Sequence, residues 1–234
     1  MRATVCLPTY NERENLQPML EALRGVLRDG DRVLVIDDAS PDGTGELADR
    51  LAAELGFVDV LHRDRKLGLG PAYIAGFRRA LAAGAELVLE MDCDFSHDPA
   101  DVPRLVAAAE EGADLVLGSR YVRGGRVGNW SLLRRAISRS ASLYTGLFLQ
   151  MHVKDPTGGF KCFRRAVLER LDLDAITPRG YAFQIETTYR VKRAGFRVVE
   201  IPITFSERTA GRSKMSKAIV LEAVWAVPLL RLRG

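Results

Sequence analysis

Five short apolar runs, Thr4 to Leu7, Arg32 to Ile36, Val58 to Leu61, Leu87 to Met91 and Leu115 to Leu117, alternate with longer segments whose apolar residues recur at three and four spacing. The longer segments begin near Glu12, Gly43, Pro71 and Pro99, each beside residues that turn the chain or start a helix. Strand and helix in regular alternation predict an α/β fold built on one doubly wound, mostly parallel sheet flanked by helices. In such sheets ligands collect beyond the carboxyl ends of the strands, so the polar motifs that follow each strand are where chemistry is expected. A length of 234 residues suits one generous core and barely admits two, so residues 1–234 are expected to form a single domain.

Past Gly118 the rhythm changes. A Gly- and Arg-rich loop, Tyr121 to Gly128, leads into an amphipathic pattern from Trp130 to about Met151, with Leu133, Ile137, Leu143, Tyr144, Leu147, Phe148 and Met151 toward one side. Gly158 to Phe163 reads as a strand. Helices near Arg165 and Phe183, a strand from Val198 to Ile201, a loop from Ser206 to Lys214 and a terminal helix follow. Peripheral amphipathic helices therefore belong to the C-terminal half. Between Leu115 and Lys154 there is no Asp or Glu, whereas Arg120, Arg123, Arg126, Arg134, Arg135, Arg139 and Lys154 fall there. The formal charge of +4 hides that asymmetry, which points to an anionic partner.

Cys6, Cys93 and Cys162 lie far apart with no CxxC spacing, against a disulfide framework or a thiolate zinc site. His62, His97 and His152 are isolated and read as structural or surface residues. With no charged leader ahead of Ala3, a reducing cytoplasm is the expected compartment. Ala218 to Leu230 is interrupted by Glu222 and Pro228 and falls short of the roughly 20 residues that span a bilayer, so no transmembrane helix is expected.

The chemistry-bearing motifs sit where the strands end. Glu90-Met-Asp92-Cys-Asp94-Phe-Ser-His97 sets two carboxylates two residues apart, hard oxygen ligands suited to Mg²⁺ or Mn²⁺ and a diphosphate. The plainer alternative is that Asp94 and Asp98 cap the next helix. Asp37-Asp38 ends the second run, placed to accept from a ribose or a base edge, while Ser40-Pro-Asp-Gly43 is also strong turn chemistry. Pro8-Thr-Tyr10-Asn-Glu12 offers an aromatic face and a carboxylate at the same edge; otherwise Asn11 caps the helix with Glu14 in a capping box. Gly68-Leu-Gly70 lacks the third glycine of a dinucleotide fingerprint, and no phosphate-loop motif occurs, which excludes dehydrogenase and kinase readings.

Taken in order, Leu7-Pro-Thr-Tyr-Asn-Glu-Arg-Glu-Asn-Leu16, Val35-Ile-Asp-Asp-Ala-Ser-Pro-Asp-Gly-Thr44, Gly68-Leu-Gly70, Met91-Asp-Cys-Asp-Phe-Ser-His97, Gly118-Ser-Arg-Tyr121, Asp155-Pro-Thr-Gly-Gly-Phe-Lys161 and Arg208-Thr-Ala-Gly-Arg-Ser-Lys214 resemble the dolichol-phosphate (polyprenol-phosphate) mannose synthases across nearly the whole chain. The resemblance implies an inverting glycosyltransferase of GT-A fold, with GDP-mannose as donor, Mg²⁺ or Mn²⁺ as cofactor and a polyprenyl monophosphate as acceptor. It implies a nucleotide-sugar and metal half, 1–118, and an acceptor half, 119–234. By the same resemblance the nucleotide lies against Pro8, Tyr10, Glu12, Ile36 and Asp38, and the metal and diphosphate against Asp92, the backbone of Cys93, and Asp94. Ser96 falls where some members carry a glutamine metal ligand. Arg120, Arg208 and Lys214 match positions on the donor or acceptor phosphates, and Arg134 and Ser138 match an acceptor-phosphate site on one helix face. Membrane contact is then peripheral, on the cytoplasmic face, or supplied by an anchoring partner. The 130–151 helix and the segment Trp225 to Arg233 are the candidate contacts, with core packing as the alternative.

A phosphate acceptor is already anionic near neutral pH, its second pKa being about 6, so no side-chain base is required. A rival with a sugar hydroxyl as acceptor demands one, and Asp155 or Glu186 would serve. A closer rival exchanges the donor for UDP-glucose. A third is a non-catalytic nucleotide-binding module. Nucleic acid is not expected as a partner, since the arginines interleave with glycine and a helix rather than with stacking aromatics.

Overall fold

A computed structural model of the chain describes residues 1–128, 130–176, 180–206, 227, 228 and 230–232. The five apolar runs form β1 (Ala3–Thr9), β2 (Arg32–Asp37), β3 (Val58–His62), β4 (Leu87–Glu90) and β5 (Leu115–Ser119). The segments between them form α1 (Arg13–Arg24), α2 (Thr44–Leu55), α3 (Leu69–Ala82) and α4 (Val102–Glu110), the last preceded by a 3₁₀ turn over Pro99–Asp101. Beyond β5 come β6 (Arg126–Val127), α5 (Leu132–Leu149), β7 (Lys161–Arg164), α6 (Arg165–Arg170), α7 (Gly180–Arg193), β8 (Val198–Pro202) and β9 (Thr204–Phe205).

Seven strands make one sheet in the order β3-β2-β1-β4-β7-β5-β8. All neighbours are parallel except β7, which runs antiparallel to both β4 and β5. The expected mostly parallel sheet is thus present, with one reversed strand in its interior, between β4 and β5. Central strands are covered on both faces, which is why they read as nearly unbroken apolar runs. Ala3, Val5 and Leu7 of β1 point into a core shared with Leu16, Met19, Leu20 and Leu23 of α1 and with α2 and α4. Cys6, between them, points to the opposite core with Tyr73 and Phe77 of α3 and Phe183 of α7. Helix α3 lies very close to the sheet: a Cβ at Gly76 would meet Ile36 Cδ1 at 2.4 Å, so a larger residue there would require the buried Ile36 side chain to shift.

Three readings change. The segment 121–128, expected as a loop, contains β6, which pairs in parallel with β9 as Arg126↔Thr204 and Val127↔Phe205. The strand expected from Gly158 begins only at Lys161. Asn11 does not cap α1: it is left-handed at φ 57°, Glu12 holds the cap position without a side-chain cap, and the helix start is tied to the neighbouring loop instead. Glu12 N donates to Thr44 Oγ1 at 3.1 Å and Arg13 N to Asp42 Oδ2 at 3.3 Å, so the loops after β1 and β2 hold one another. Asp98 does cap, accepting from Ala100 N at 2.9 Å at the start of the 3₁₀ turn.

Candidate active site

Parallel pairing brings the ends of β1, β2 and β3 level, with Pro8 opposite Ile36 and Thr9 opposite Asp37. Asp37 is spent on the turn, accepting from Thr9 Oγ1, Ser40 N and Ser40 Oγ. Asp38 is buried and takes the Arg63 guanidinium at 2.5 Å; burial pushes its carboxyl above the usual range against the pull of Arg63. Tyr10 is half-buried, and Lys66 Nζ stands 3.8 Å from its ring centroid. Glu12 accepts from Asn15 Nδ2 at 2.9 Å. The Ile36 side chain is wholly buried under α3, so a ligand here would meet its backbone. Pro8, Tyr10, Glu12 and Asp38 therefore gather at one edge of the sheet.

Where β4 ends, the chain folds into a tight loop. Phe95 adopts φ 59°, a region unfavourable for a bulky side chain, and this turn brings Ser96 back onto Asp94. Ser96 N and Oγ both donate to Asp94 Oδ1, at 3.0 and 2.5 Å. The Ser96 hydroxyl thus orients Asp94. Asp92 is held twice, its N donating to His97 Nδ1 at 3.4 Å and its Oδ1 accepting from the Tyr73 hydroxyl at 3.5 Å. His97 is buried and stacks on Phe160 with Phe205 at its edge, a structural role as expected but one that reaches the metal loop. Cys93 turns its side chain into the core and leaves only backbone to the loop. Two carboxylates held two residues apart by outer hydrogen bonds fit a hard divalent cation, and Asp92 and Asp94 are the residues that would hold it. Among the described residues no three His, Cys, Asp or Glu side chains converge, so the remaining ligands would come from other oxygens.

Behind this loop lies a buried polar group that sequence reasoning missed. Glu90 of β4 sits opposite Lys161 of β7, both wholly buried on the α3–α7 face. Lys161 Nζ donates to the Gln184 carbonyl at 2.9 Å. Burial pushes the Glu90 carboxyl up to about 7 against the attraction of Lys161, and the Lys161 ammonium down to about 8 against that of Glu90 and Asp155. The Gln184 amide lies near enough to oppose the Glu90 shift, yet neither side chain's polar atoms reach good hydrogen-bond geometry.

Across the sheet edge, Arg120 is clamped by Asp155: Nε to Oδ2 at 2.7 Å, Nη2 to Oδ1 at 2.6 Å, with Thr157 Oγ1 at 2.8 Å from Nη2. Asp155 is wholly buried and Glu186 is 1% exposed with Arg190 Nη2 at 2.7 Å, so both carboxylates are engaged by arginines. Aromatic rings carry the wall onward. Phe205 meets Trp130 edge-on at 5.5 Å, and Arg134 lies over Trp130 at 4.1 Å. Ser138, on the same flank of α5, accepts from the Tyr121 hydroxyl at 2.7 Å. Arg208, Lys214 and the rest of the 207–226 segment, including Trp225, lie outside the described residues, as does Arg233. Of the final segment, Val227 and Leu230 join the core cluster that holds Tyr73 and Phe183, the alternative to membrane contact, whereas Leu232 is exposed.

Asp92 and Asp94 at the end of β4 and the polar residues at the ends of β1 and β2 lie on the sheet of a glycosyltransferase: the chain belongs to glycosyl transferase family 2, whose model matches residues 4–172. It is 51% identical over 224 residues to undecaprenyl-phosphate mannosyltransferase of Micrococcus luteus, covering 96% of this chain and 91% of that protein. It is 47% identical over 234 residues to polyprenol monophosphomannose synthase of Mycolicibacterium smegmatis, covering 100% of this chain and 88% of that one. The fold, GT-A, is shared with the mannosyltransferase PcManGT of Pyrobaculum calidifontis, solved in complex with GDP-Man and Mn²⁺, at TM-score 0.65 and 20% identity over 99% of this chain and 73% of that one.

Proposed function

We propose that this chain transfers mannose from GDP-mannose to the phosphate of a polyprenyl monophosphate, with inversion and with a divalent cation. The observations that carry the reading are the Asp92 and Asp94 carboxylates held by hydrogen bonds at the end of β4 and the arginine-rich 120–139 segment, in a chain 51% identical over 224 residues to an undecaprenyl-phosphate mannosyltransferase. Residues 1–118 take the donor and 119–234 the acceptor.

Pro8, Tyr10, Glu12, the Ile36 backbone and Asp38 seat the nucleotide, and Asp92, Asp94 and the Cys93 backbone seat its diphosphate. Mg²⁺ or Mn²⁺ on Asp92 and Asp94, with Ser96 as a third candidate ligand or as the group that orients Asp94, supplies Lewis acidity for the leaving diphosphate. Arg134 and Ser138 hold the acceptor phosphate, with Arg120 at the junction of the two anions, and Arg208 and Lys214 are assigned to the phosphates on the motif they share with the family. An acceptor oxygen forms its bond to the anomeric carbon on the face opposite the leaving group, and GDP departs with the electron pair. Holding two anions in line is the protein's main task, because neither step needs a side-chain base. No described helix is long and apolar enough to cross a membrane, and we assign lipid access to peripheral contact by α5 at the cytoplasmic face, alone or beside an anchoring protein.

The test is transfer of labelled mannose from GDP-mannose to a polyprenyl phosphate in detergent, with Mg²⁺, Mn²⁺ or chelator and with UDP-glucose as competing donor. Metal-dependent mannosyl lipid is expected. Transfer from UDP-glucose alone would replace the donor assignment, and no transfer from either would leave a nucleotide-binding module.

A further inference from the structure

Helix α5 divides its surface three ways. Ser142, Thr145 and Leu149 are buried against the body of the protein. Leu132, Leu133, Ile137, Leu143, Leu147 and Phe148 point outward, between 39 and 82% exposed, and at 100° per residue they fill one continuous arc. Arg135 and Arg139, four residues apart, lie along one border of that arc.

Beside this border opens a cleft of about 410 Å³ between α5 and the 120–127 segment. Its lining includes Arg120, Arg126, Arg135 and Arg139 and, among the described residues, no acidic side chain. Asp155 already balances Arg120, whereas Arg126, Arg135 and Arg139 are exposed and have no ion-pair partner among the described residues. Arg135 Nη2 donates to the Val127 carbonyl at 2.6 Å, which fixes it at the cleft wall. Arg134 and Ser138 lie on the helix's other flank, engaged with Trp130 and Tyr121.

We propose that Arg126, Arg135 and Arg139 form a second anion site, separate from the acceptor phosphate, that holds the phosphodiester headgroup of a bulk bilayer phospholipid while the adjoining apolar arc enters the acyl boundary. A soluble phosphate would satisfy the arginines alone; a lipid phosphate satisfies the arginines and the arc together. The inference rests on the reading of α5 as the membrane contact.

The experiment compares the wild-type chain with the triple variant Arg126→Gln, Arg135→Gln, Arg139→Gln on vesicles of phosphatidylcholine alone or with 30 mol% phosphatidylglycerol, by sedimentation, circular dichroism confirming the fold. The variant is expected to bind the anionic vesicles about 10- to 100-fold more weakly. Its KM values for GDP-mannose and for a short-chain polyprenyl phosphate, measured in phospholipid-free detergent, are expected to stay within about twofold. Equal vesicle binding by the two proteins overturns the cleft. So does a tenfold rise in acceptor KM, which would make these arginines the acceptor seat. Wild-type protein that transfers mannose in detergent yet sediments with neither vesicle overturns the membrane reading of α5 itself.

Discussion

Asp94 is the residue on which the donor side turns, and its neighbours show how a short loop prepares a carboxylate. The left-handed Phe95 costs backbone energy, and what it secures is a serine folded back onto Asp94 through both N and Oγ. Removing the carboxylate and removing its support should therefore differ in kind. Asp94→Ala is expected to cut mannose transfer by at least about 100-fold at any metal concentration, whereas Ser96→Ala should raise the Mn²⁺ needed for half-maximal rate by about tenfold and recover at high Mn²⁺. A metal titration of both variants decides it, and near-normal turnover by Asp94→Ala would refute the metal role. On the acceptor side, Arg134→Gln removes a charge-assisted contact. We expect acceptor KM to rise roughly tenfold or more with GDP-mannose KM little changed. Equal losses on both substrates would contradict its assignment.

At the scale of elements, the insertion of β7 between β4 and β5 places Lys161 against Glu90, and the pair gives the fold a pH signature. Glu90 titrates at about 7 in the fold against 4.5 ordinarily, so from pH 4.5 to 7 the folded chain keeps a proton that the unfolded chain releases, and its stabilising contribution falls as pH rises. Lys161 titrates at about 8 against 10.5, so its contribution is present above pH 10.5 and is lost as pH falls to 8. The pair's contribution should pass through a minimum near pH 7 to 8, read from urea midpoints of wild type minus the Glu90→Gln, Lys161→Met variant across pH 5 to 10. A flat difference would show that the two charges are not buried together. This pair also marks where the sequence stops being legible. Apolar runs revealed β1 to β5 because burial on both faces writes itself as composition, but strand direction leaves no periodicity, so the reversal of β7 was invisible. The two-residue β6 and β9 fall below any window in which alternation can be counted. The placement of Asp92, Asp94, Tyr10 and Asp38 beside one another along the sheet was legible because each follows a strand end. His97 looked isolated because its partners, Phe160 and Phe205, come from distant segments.

For the whole molecule, charge is divided along the chain, with the carboxylates Asp92 and Asp94 where we propose the donor diphosphate sits and, from Leu115 to Lys154, an arginine-rich segment without Asp or Glu, of which we give Arg134 to the acceptor phosphate. Both proposed substrates are anions, so the carboxylate side repels its own donor unless a cation intervenes. A nucleoside diphosphate brought to Asp92 and Asp94 without a cation sets like charges together at short range, and Asp94 is only 4% exposed, so water screens little of that repulsion. GDP affinity should therefore depend steeply on metal, and because a ligand that binds only the folded chain stabilises it by mass action, thermal unfolding reads that dependence directly. At 100 times its Kd a ligand adds about 2.7 kcal/mol, which for a chain of this length raises Tm by roughly 5 to 10 °C. We expect that shift with GDP and Mn²⁺ or Mg²⁺ together, little shift with GDP and chelator, and a smaller shift with UDP and metal. In the Asp92→Asn, Asp94→Asn variant, which lacks both the repulsion and the ligands, metal should cease to matter to the GDP shift. Equal stabilisation of the wild-type chain by GDP with and without chelator would mean that the two aspartates do not face the diphosphate, and the division of charge would then need another explanation.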